Sequence, residues 1–304
     1  MILSPLWLPV TLAAALFQCW RTALQQRLRG RLSLNAAAVV RYLYGVPVGA
    51  ALLALYLLAF GGDLYAPGLP FLLFCAAGGL MQILGTNLLI MSFGHRGFAV
   101  GTAYAKTEAV QGAFLALVLL GERISLLAWI GIAVGVSGVL WLSLAGRAAS
   151  FRELARATVQ PAAVCGLAAG FFFALTSVAV KAANQSLPGD DPILRALCTL
   201  VVANILQTLM QGGWLLAREP DQFRAVLATW RTSAQVGALS ACGSACWFTA
   251  FALAPVALVR AVGQVEIIFT LLFSRFYLSE RPSRAEIAGA LTVVFGVVLV
   301  LLGR

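Results

Sequence analysis

Two stretches of the sequence decide the fold because they are copies of each other. AKTEAVQGAFLALVLLGERISLLAWIGIAVGVSG occupies residues 105–138, and GQVEIIFTLLFSRFYLSERPSRAEIAGALTVVFG occupies residues 263–296. They align without a gap at a shift of 158 residues. The shift pairs identical residues at several positions, namely Glu108 with Glu266, Glu122 with Glu280, Arg123 with Arg281, Gly131 with Gly289, and Gly138 with Gly296.

The similarity continues upstream of these stretches. LAAALFQ at residues 12–18 resembles LAAGFFF at 167–173, and VVRYLYG at 39–45 resembles ILRALCT at 193–199. An internal repeat of this length indicates that one structural unit occurs twice. The sequence therefore predicts a first repeat over residues 1–148 and a second over residues 149–304.

The composition is that of a protein inside a lipid bilayer. Apolar residues make up 61% of the chain, charged residues only 11%, and the mean hydropathy is +0.93, which is far from the averages of soluble proteins. Apolar stretches near the roughly 20 residues that cross a bilayer predict ten spans, numbered here in chain order. They cover residues 5–24, 36–60, 70–91, 98–120, 126–144, 162–184, 193–217, 234–253, 256–277 and 285–302.

The predicted fold class is thus an all-α integral membrane protein with ten transmembrane helices in two five-helix repeats. Five is odd, so the second repeat must enter the membrane from the opposite side, and the repeats are inverted. That arrangement is typical of secondary transporters, which bind their substrate near the midplane. No loop is long enough for a separate soluble domain.

The arginines predict the orientation. They concentrate in loops that follow odd-numbered spans, at positions 27, 29, 31, 96, 147, 152, 156, 218, 224, 231, 281 and 284. The positive-inside rule places these loops in the cytoplasm, so both termini are predicted to be extracytoplasmic in a bacterial inner membrane. The net charge of +10 then reflects topology, and no nucleic-acid partner is expected.

The chain resembles the EamA-type branch of the drug/metabolite transporter superfamily along essentially its whole length. The resemblance rests on the five-plus-five arrangement, on Glu108 and Glu266 ahead of LGER and LSER, and on Arg41 and Arg195 near the start of spans two and seven. It implies a basket of ten helices around a central cavity, with spans five and ten at the periphery, and no cofactor. Family members often carry proline after the glutamate. Here Ala109 and Ile267 follow instead, so the sequence predicts no proline-induced break.

Four charged residues lie well inside predicted spans: Lys106, Glu108, Arg260 and Glu266. Ionisable groups at this depth cost several kcal/mol unless they face a partner or a wet cavity, which makes them candidates for a functional site. At about 100° per residue, Lys106 and Glu108 point to different sides of a helix. Each charge must therefore find its partner elsewhere.

The two cations suggest a surface for substrate. The repeat pairs Lys106 with Gln264 and Thr102 with Arg260, so each repeat presents one i, i+4 polar pair. Two cations suit a carboxylate, phosphate or sulfonate, and a zwitterion also fits if a glutamate binds its amine. The candidate substrate-binding residues are Lys106, Arg260, Gln264, Tyr104, Trp20, Asn87 and Trp247, with Gln18, Arg21, Gln82, Lys181, Asn204 and Gln207 as further polar candidates.

Two interpretations remain open for Glu108 and Glu266. A carboxylate in an apolar setting can exchange protons near neutral pH, which would suit proton coupling or amine recognition. Alternatively, both form ion pairs that hold helices together, with Arg41 or Arg195 as partners. The repetition of both glutamates and both arginines favours the two readings about equally.

Other functions are less well supported. The only histidine, His95, lies outside the predicted spans, and no GxSxG motif or metal-ligand spacing occurs, so we expect neither an enzyme nor a metal site. A flippase for a lipid-linked phosphate or sugar headgroup is the main alternative. A multidrug exporter is a weaker alternative, because the cations Lys106 and Arg260 do not suit a toxic cationic drug. We expect a secondary transporter of a small polar, zwitterionic or anionic, amino-acid-like metabolite, with protons as a candidate coupling ion, acting as a monomer or homodimer.

Overall fold

The computed structural model describes residues 4–28, 31–64, 66–94, 104–144, 160–277 and 284–303. These residues form helices joined by short connections, and none of the described ones is in a β-strand. Thr102, His95, Glu280 and Arg281, which the sequence analysis names, lie outside the described ranges.

The helices follow the predicted spans closely. In chain order they are α1 (Trp7–Leu28), α2 (Leu34–Leu43), α3 (Gly45–Phe60), α4 (Leu69–Gly94), α5 (Glu108–Leu120), α6 (Leu126–Leu144), α7 (Pro161–Ser186), α8 (Pro192–Gln207), a π-helix (Thr208–Gly212), α9 (Gly213–Arg218), α10 (Pro220–Ala228), α11 (Trp230–Leu253), α12 (Val256–Gly263), α13 (Glu266–Tyr277) and α14 (Arg284–Leu302). The short helix α10 was not predicted. Its PDQFRAVLA sequence lies between spans seven and eight, and it has Pro220 at its start and acidic Asp221 in its first turn, as helix N-termini favour.

Five helical segments of the described chain are long and apolar enough to cross a membrane: Leu34–Phe60, Leu69–Ser92, Pro161–Ser186, Pro192–Arg218 and Trp230–Leu253. Shorter apolar helices cover Glu108–Leu120, Leu126–Trp141 and Ile287–Leu302. The chain is therefore a multi-pass membrane protein. The number of ten spans stays a prediction.

The structure divides into two compact units, each of which combines segments from both predicted repeats. The first unit contains Met1–Ile83 and Thr176–Ala254, and the second contains Leu84–Leu175 and Pro255–Arg304. The chain passes between units inside α4, inside α7 and at the Ala254–Pro255 connection. The sequence analysis places the boundary between the two repeats near residue 148. The division into compact units follows other boundaries and does not test this prediction.

The first unit is built around α11, against which α1, α2, α3 and α8 pack. Its apolar core includes Leu28, Val39, Val40, Leu215 and Val236. At the start of α2, Ser33 caps the helix, and its hydroxyl also donates to Glu219 Oε2 at 2.6 Å. Glu219 Oε1 accepts from the Asn35 side-chain amide at 3.1 Å. The carboxylate thus fastens the beginning of α2 to the connection before α10.

The second unit is dominated by the packing of α6 against α14. A methyl group at Gly131 would lie 2.7 Å from the Gly296 carbonyl oxygen, and one at Gly138 would lie 2.9 Å from the Gly289 carbonyl oxygen. At these contacts the residue numbers rise along α6 as they fall along α14, so the two helices run antiparallel. Small residues at helical spacing, as in GIAVGVSG at residues 131–138, let two helices approach this closely. We call this contact the glycine seam.

Candidate functional site

The candidate site begins with two interruptions of the helix path in the second unit. Residues 104–105 are helical, residues 106–107 form a turn, and α5 starts at Glu108. In the other repeat, α12 ends at Gly263, residues 264–265 form a turn, and α13 starts at Glu266. In the sequence alignment at a shift of 158 residues, the turn at residues 106–107 aligns with the turn at residues 264–265.

Tighter hydrogen bonding produces both interruptions. The Thr107 amide donates to the Tyr104 carbonyl at 3.2 Å, and the Gln264 amide donates to the Ala261 carbonyl at 3.2 Å. These are i to i−3 bonds of the 3₁₀ type, which often mark a hinge when they occur within a longer helix. The sequence analysis predicted no proline-induced break at these positions, and the 3₁₀-type hydrogen bonds interrupt the helix path without proline.

The four charged residues that the sequence analysis places inside predicted spans meet at these interruptions as two crossed ion pairs. Lys106 Nζ lies 2.6 Å from Glu266 Oε2, and Arg260 Nη1 lies 3.4 Å from Glu108 Oε1. Each pair joins one repeat to the other. The four side chains are largely buried, with exposed fractions of 10% to 16%. We call these residues the charge cluster.

The surroundings support this pairing. Each glutamate sits in the first turn of a helix, where the helix dipole stabilises negative charge. Arg260 also donates to the Phe173 carbonyl at 3.3 Å. Both cations of the predicted substrate-binding surface therefore have carboxylate partners, and their role in substrate binding stays a prediction. Glu266 and Glu108 form ion pairs with Lys106 and Arg260. The sequence analysis had named Arg41 or Arg195 as their partners, and this part of it is wrong.

Gln264 occupies the turn between α12 and α13 and is 4% exposed. Within the described part of the chain, neither its side-chain nitrogen nor its side-chain oxygen has a hydrogen-bond partner. The side chain fits beside Gly135, where a methyl group would lie 3.1 Å from Gln264 Oε1. A buried amide without partners costs roughly 1–3 kcal/mol for each unsatisfied group, which makes Gln264 an unusual side chain for a purely structural position.

The remaining predicted substrate residues are distributed over both units. Tyr104 is 5% exposed and packs in an apolar cluster with Ala162 and Ala163 of the second unit, and Asn87 lies in the part of α4 that belongs to the same unit. In the first unit, Trp247 is 8% exposed, and its indole nitrogen donates to Gln18 Oε1 at 3.1 Å. Trp20 is 48% exposed. The charge cluster does not include these four residues.

The two helix-start arginines also lie in the first unit. Arg41 on α2 is 6% exposed, and its Nε donates to the Ser240 hydroxyl at 3.3 Å. Arg195 on α8 is half-buried, and its Nε has no hydrogen-bond partner among the described residues.

The sequence analysis missed two polar contacts of the second unit. Gln111 lies one turn after Glu108 on α5. Its side-chain nitrogen donates to the Thr107 hydroxyl at 2.8 Å and to the Leu167 carbonyl at 3.4 Å. Glu122 Oε2 accepts from the Val256 amide at 2.8 Å and so caps the start of α12. The repetition of Glu122 at position 280 was the available signal for the second contact.

Comparisons with known proteins agree with this architecture. A solved structure with the bare description "Crystal structure of protein" aligns with 97% of this chain and 98% of its own, with a TM-score of 0.68 at 18% identity. At this identity the likeness concerns the fold alone. No curated protein matches the chain significantly.

The family comparison is more specific. The model of the EamA-like transporter family matches residues 160–302, which include α12, α13 and two residues of the charge cluster. This is the signature of the drug/metabolite transporter superfamily. Residues 160–302 therefore carry the signature of the EamA-like transporter family, whose members are membrane transporters of the drug/metabolite type.

Proposed function

We propose that this protein is a secondary active transporter of a small zwitterionic, amino-acid-like metabolite. The observation that carries the proposal is the pair of crossed ion pairs at matched helix interruptions. Lys106 and Arg260 come from different repeats, and each binds the glutamate of the other repeat. Charged groups that meet at helix breaks inside the membrane are typical of substrate and ion sites in transporters.

The charge balance selects the substrate class. The cluster holds two cations and two carboxylates, so it is neutral as a whole. A simple anion gains little from a cation that is already paired, and a simple cation gains little from a paired carboxylate. A zwitterion carries both charges, so its ammonium can replace Lys106 at Glu266 while its carboxylate binds the released ammonium. We infer that Lys106 and Glu266 exchange partners with the substrate.

The transport cycle that we propose is alternating access by two inverted repeats over residues 1–148 and 149–304, with ten spans in a bacterial inner membrane and extracytoplasmic termini. The antiparallel glycine seam supports inversion, because Gly131 packs against the repeat mate of Gly138, and Gly138 packs against the repeat mate of Gly131. Such reciprocal contacts are what a two-fold relation between equivalent helices produces. Glu108 and Glu266 are the candidates for proton coupling.

Counterflow in proteoliposomes tests the proposal. Vesicles loaded with one unlabelled amino acid at a time should accumulate the same labelled compound, and the panel also includes organic anions, sugar phosphates and quaternary amines. Glu266→Gln and Lys106→Met should each abolish counterflow, since either change removes one partner of the exchange. Asp221→Asn is the control, because it removes a carboxylate that is 90% exposed and far from the cluster in sequence.

Two results would contradict the proposal. Counterflow of quaternary amines alone would identify a cation exporter. Zwitterion counterflow that survives in both Glu266→Gln and Lys106→Met would separate transport from the charge cluster.

A further inference from the structure

The short helix α10 connects two segments that are long and apolar enough to cross the bilayer, Pro192–Arg218 and Trp230–Leu253. The chain turns from α9 into α10 without a loop. The Glu219 amide donates to the Leu215 carbonyl at 2.7 Å, and the Phe223 amide donates to the Glu219 carbonyl at 3.1 Å. A helix that joins the end of one span to the start of the next lies at the surface of the bilayer, in the layer of lipid headgroups.

One side of α10 covers the first unit. Val226 is completely buried, and Phe223 packs against the same apolar core. The Tyr44 hydroxyl donates to the Val226 carbonyl at 3.3 Å. The Ser33 amide donates to Gln222 Oε1 at 2.7 Å. These contacts fix how α10 is turned about its axis, so the other side of the helix faces outward.

The outward side combines apolar and cationic side chains. Leu227 and Trp230 are 49% and 57% exposed. The Arg231 guanidinium carbon lies 5.6 Å from the centroid of the Trp230 ring. On α9, Trp214 and Arg218 are both exposed and four residues apart, so they share a helix face. Tryptophan beside arginine is typical of the boundary between hydrocarbon and headgroups, where the ring meets the apolar edge and the guanidinium reaches the phosphates.

The exposed charges of this segment are mostly positive. Arg218, Arg224 and Arg231 are exposed. Asp221 lies 3.3 Å from Arg224, but the two side chains are 90% and 81% exposed, so the guanidinium stays accessible. Glu219 is half-buried, and both of its oxygens accept hydrogen bonds from side chains at the start of α2. The segment thus presents three guanidinium groups and one exposed carboxylate to the headgroup layer.

We propose that this outward surface binds anionic phospholipid. We call it the α10 surface, and it consists of Trp214, Arg218, Arg224, Leu227, Trp230 and Arg231. Guanidinium groups bind phosphate by paired charge-assisted hydrogen bonds, and basic residues at the membrane surface are attracted to lipids of net negative charge. In phosphatidylcholine the choline cation offsets the phosphate, so the surface selects headgroups such as phosphatidylglycerol. The α10 surface shares no residue with the charge cluster and does not depend on the proposed function.

Lipid titration of the full-length protein in a neutral detergent tests the α10 surface. The readout is the Tm, with phosphatidylglycerol and phosphatidylcholine of the same acyl chains in parallel titrations. A lipid that binds only the folded protein should raise the Tm by about 3–5 °C at roughly ten times its Kd. Phosphatidylglycerol should reach this effect at lower concentration. Its advantage should shrink between about 50 mM and about 500 mM salt, because salt screens exposed charges.

Three single variants and their combination identify the surface. Arg218→Gln, Arg224→Gln and Arg231→Gln should each raise the Kd for phosphatidylglycerol by about 5-fold, and the triple variant by about 100-fold, since the contributions of separate basic residues multiply. The Kd for phosphatidylcholine should stay unchanged. Arg123→Gln is the matched control, because Arg123 is an exposed arginine in the connection between α5 and α6. It should keep the lipid response of the unmodified protein.

Three results would overturn the proposal. The first is an equal rise of the Tm with the two lipids, and the second is a triple variant that keeps its preference for phosphatidylglycerol. The third is a loss of this preference in Arg123→Gln as large as in the other single variants, which would show a response to total charge. Light scattering tests a second copy of the chain as the occupant. A dimer that dissociates in the triple variant, together with equal effects of the two lipids, would assign the α10 surface to that copy.

Discussion

The ion pair between Lys106 and Glu266 allows a quantitative prediction. Its atoms are 2.6 Å apart, and the side chains are 16% and 13% exposed. At an effective dielectric constant of about 20, the Coulomb attraction over this distance is about 6 kcal/mol. Desolvation of the two charges opposes it. Removing one partner of a buried pair costs about 3–5 kcal/mol, and the residual exposure of both side chains places this pair at the lower end, about 3 kcal/mol.

The prediction concerns three variants: Lys106→Met, Glu266→Gln and the double substitution. Each single substitution leaves a buried charge without its partner, and at about 2–4 °C per kcal/mol the Tm should fall by about 6–12 °C. The double variant leaves no unpaired charge, so its Tm should lie close to that of the better single variant. The assay is thermal unfolding in detergent, followed by tryptophan fluorescence.

The pair between Arg224 and Asp221 is an internal control. Its atoms are 3.3 Å apart, but the side chains are 81% and 90% exposed. Exposed pairs contribute little to stability, so the same cycle of variants should give no measurable coupling there. If the two single effects at Lys106 and Glu266 simply add in the double variant, the residues do not interact and the reasoning about the charge cluster is wrong.

Further predictions concern helix packing and capping, and thermal unfolding measures all of them. Gly296→Leu should lower the stability by about 3 kcal/mol or more, because even a methyl group there would lie 2.5 Å from the Gly135 nitrogen. Gly213→Ala has no atom within 4 Å of the new methyl group, so it should stabilise its helix by about 0.5–1 kcal/mol. Glu122→Ala should cost about 1–2 kcal/mol through loss of the cap on Val256, and Glu122→Gln should cost less because it keeps an acceptor.

The sequence predicted the helices well because their apolar lengths and their turn residues are local properties. Span six, for example, was expected at residues 162–184, and α7 covers Pro161–Ser186. The glycine seam was also readable, since small residues at helical spacing have few other uses inside a membrane. The division of span two into α2 and α3 at Tyr44 was not readable, because it coincides with the close approach of Gly237, where a methyl group would lie 2.4 Å from Tyr44 Cβ.

The candidate site was predicted only in part. The spacing of Lys106 and Glu108 excluded a direct pair on one helix face, and this much follows from helix geometry. The spacing could not identify the ion-pair partners, because Glu266 is 160 residues from Lys106 and Arg260 is 152 residues from Glu108. The same limit applies to Arg41 and Ser240, which are 199 residues apart. Long-range pairing depends on the fold, and residue spacing alone carries no information about it.

The π-helix at Thr208–Gly212 bears on how the gene could change. A π-turn holds one residue more than the α-helical turns on either side. Deleting a single codon within this stretch would let α8 and α9 join as one regular α-helix, whereas the same deletion elsewhere in a span would turn every following side chain by about 100°. This segment of the transporter can therefore gain or lose one residue in evolution while the helix on each side keeps its face.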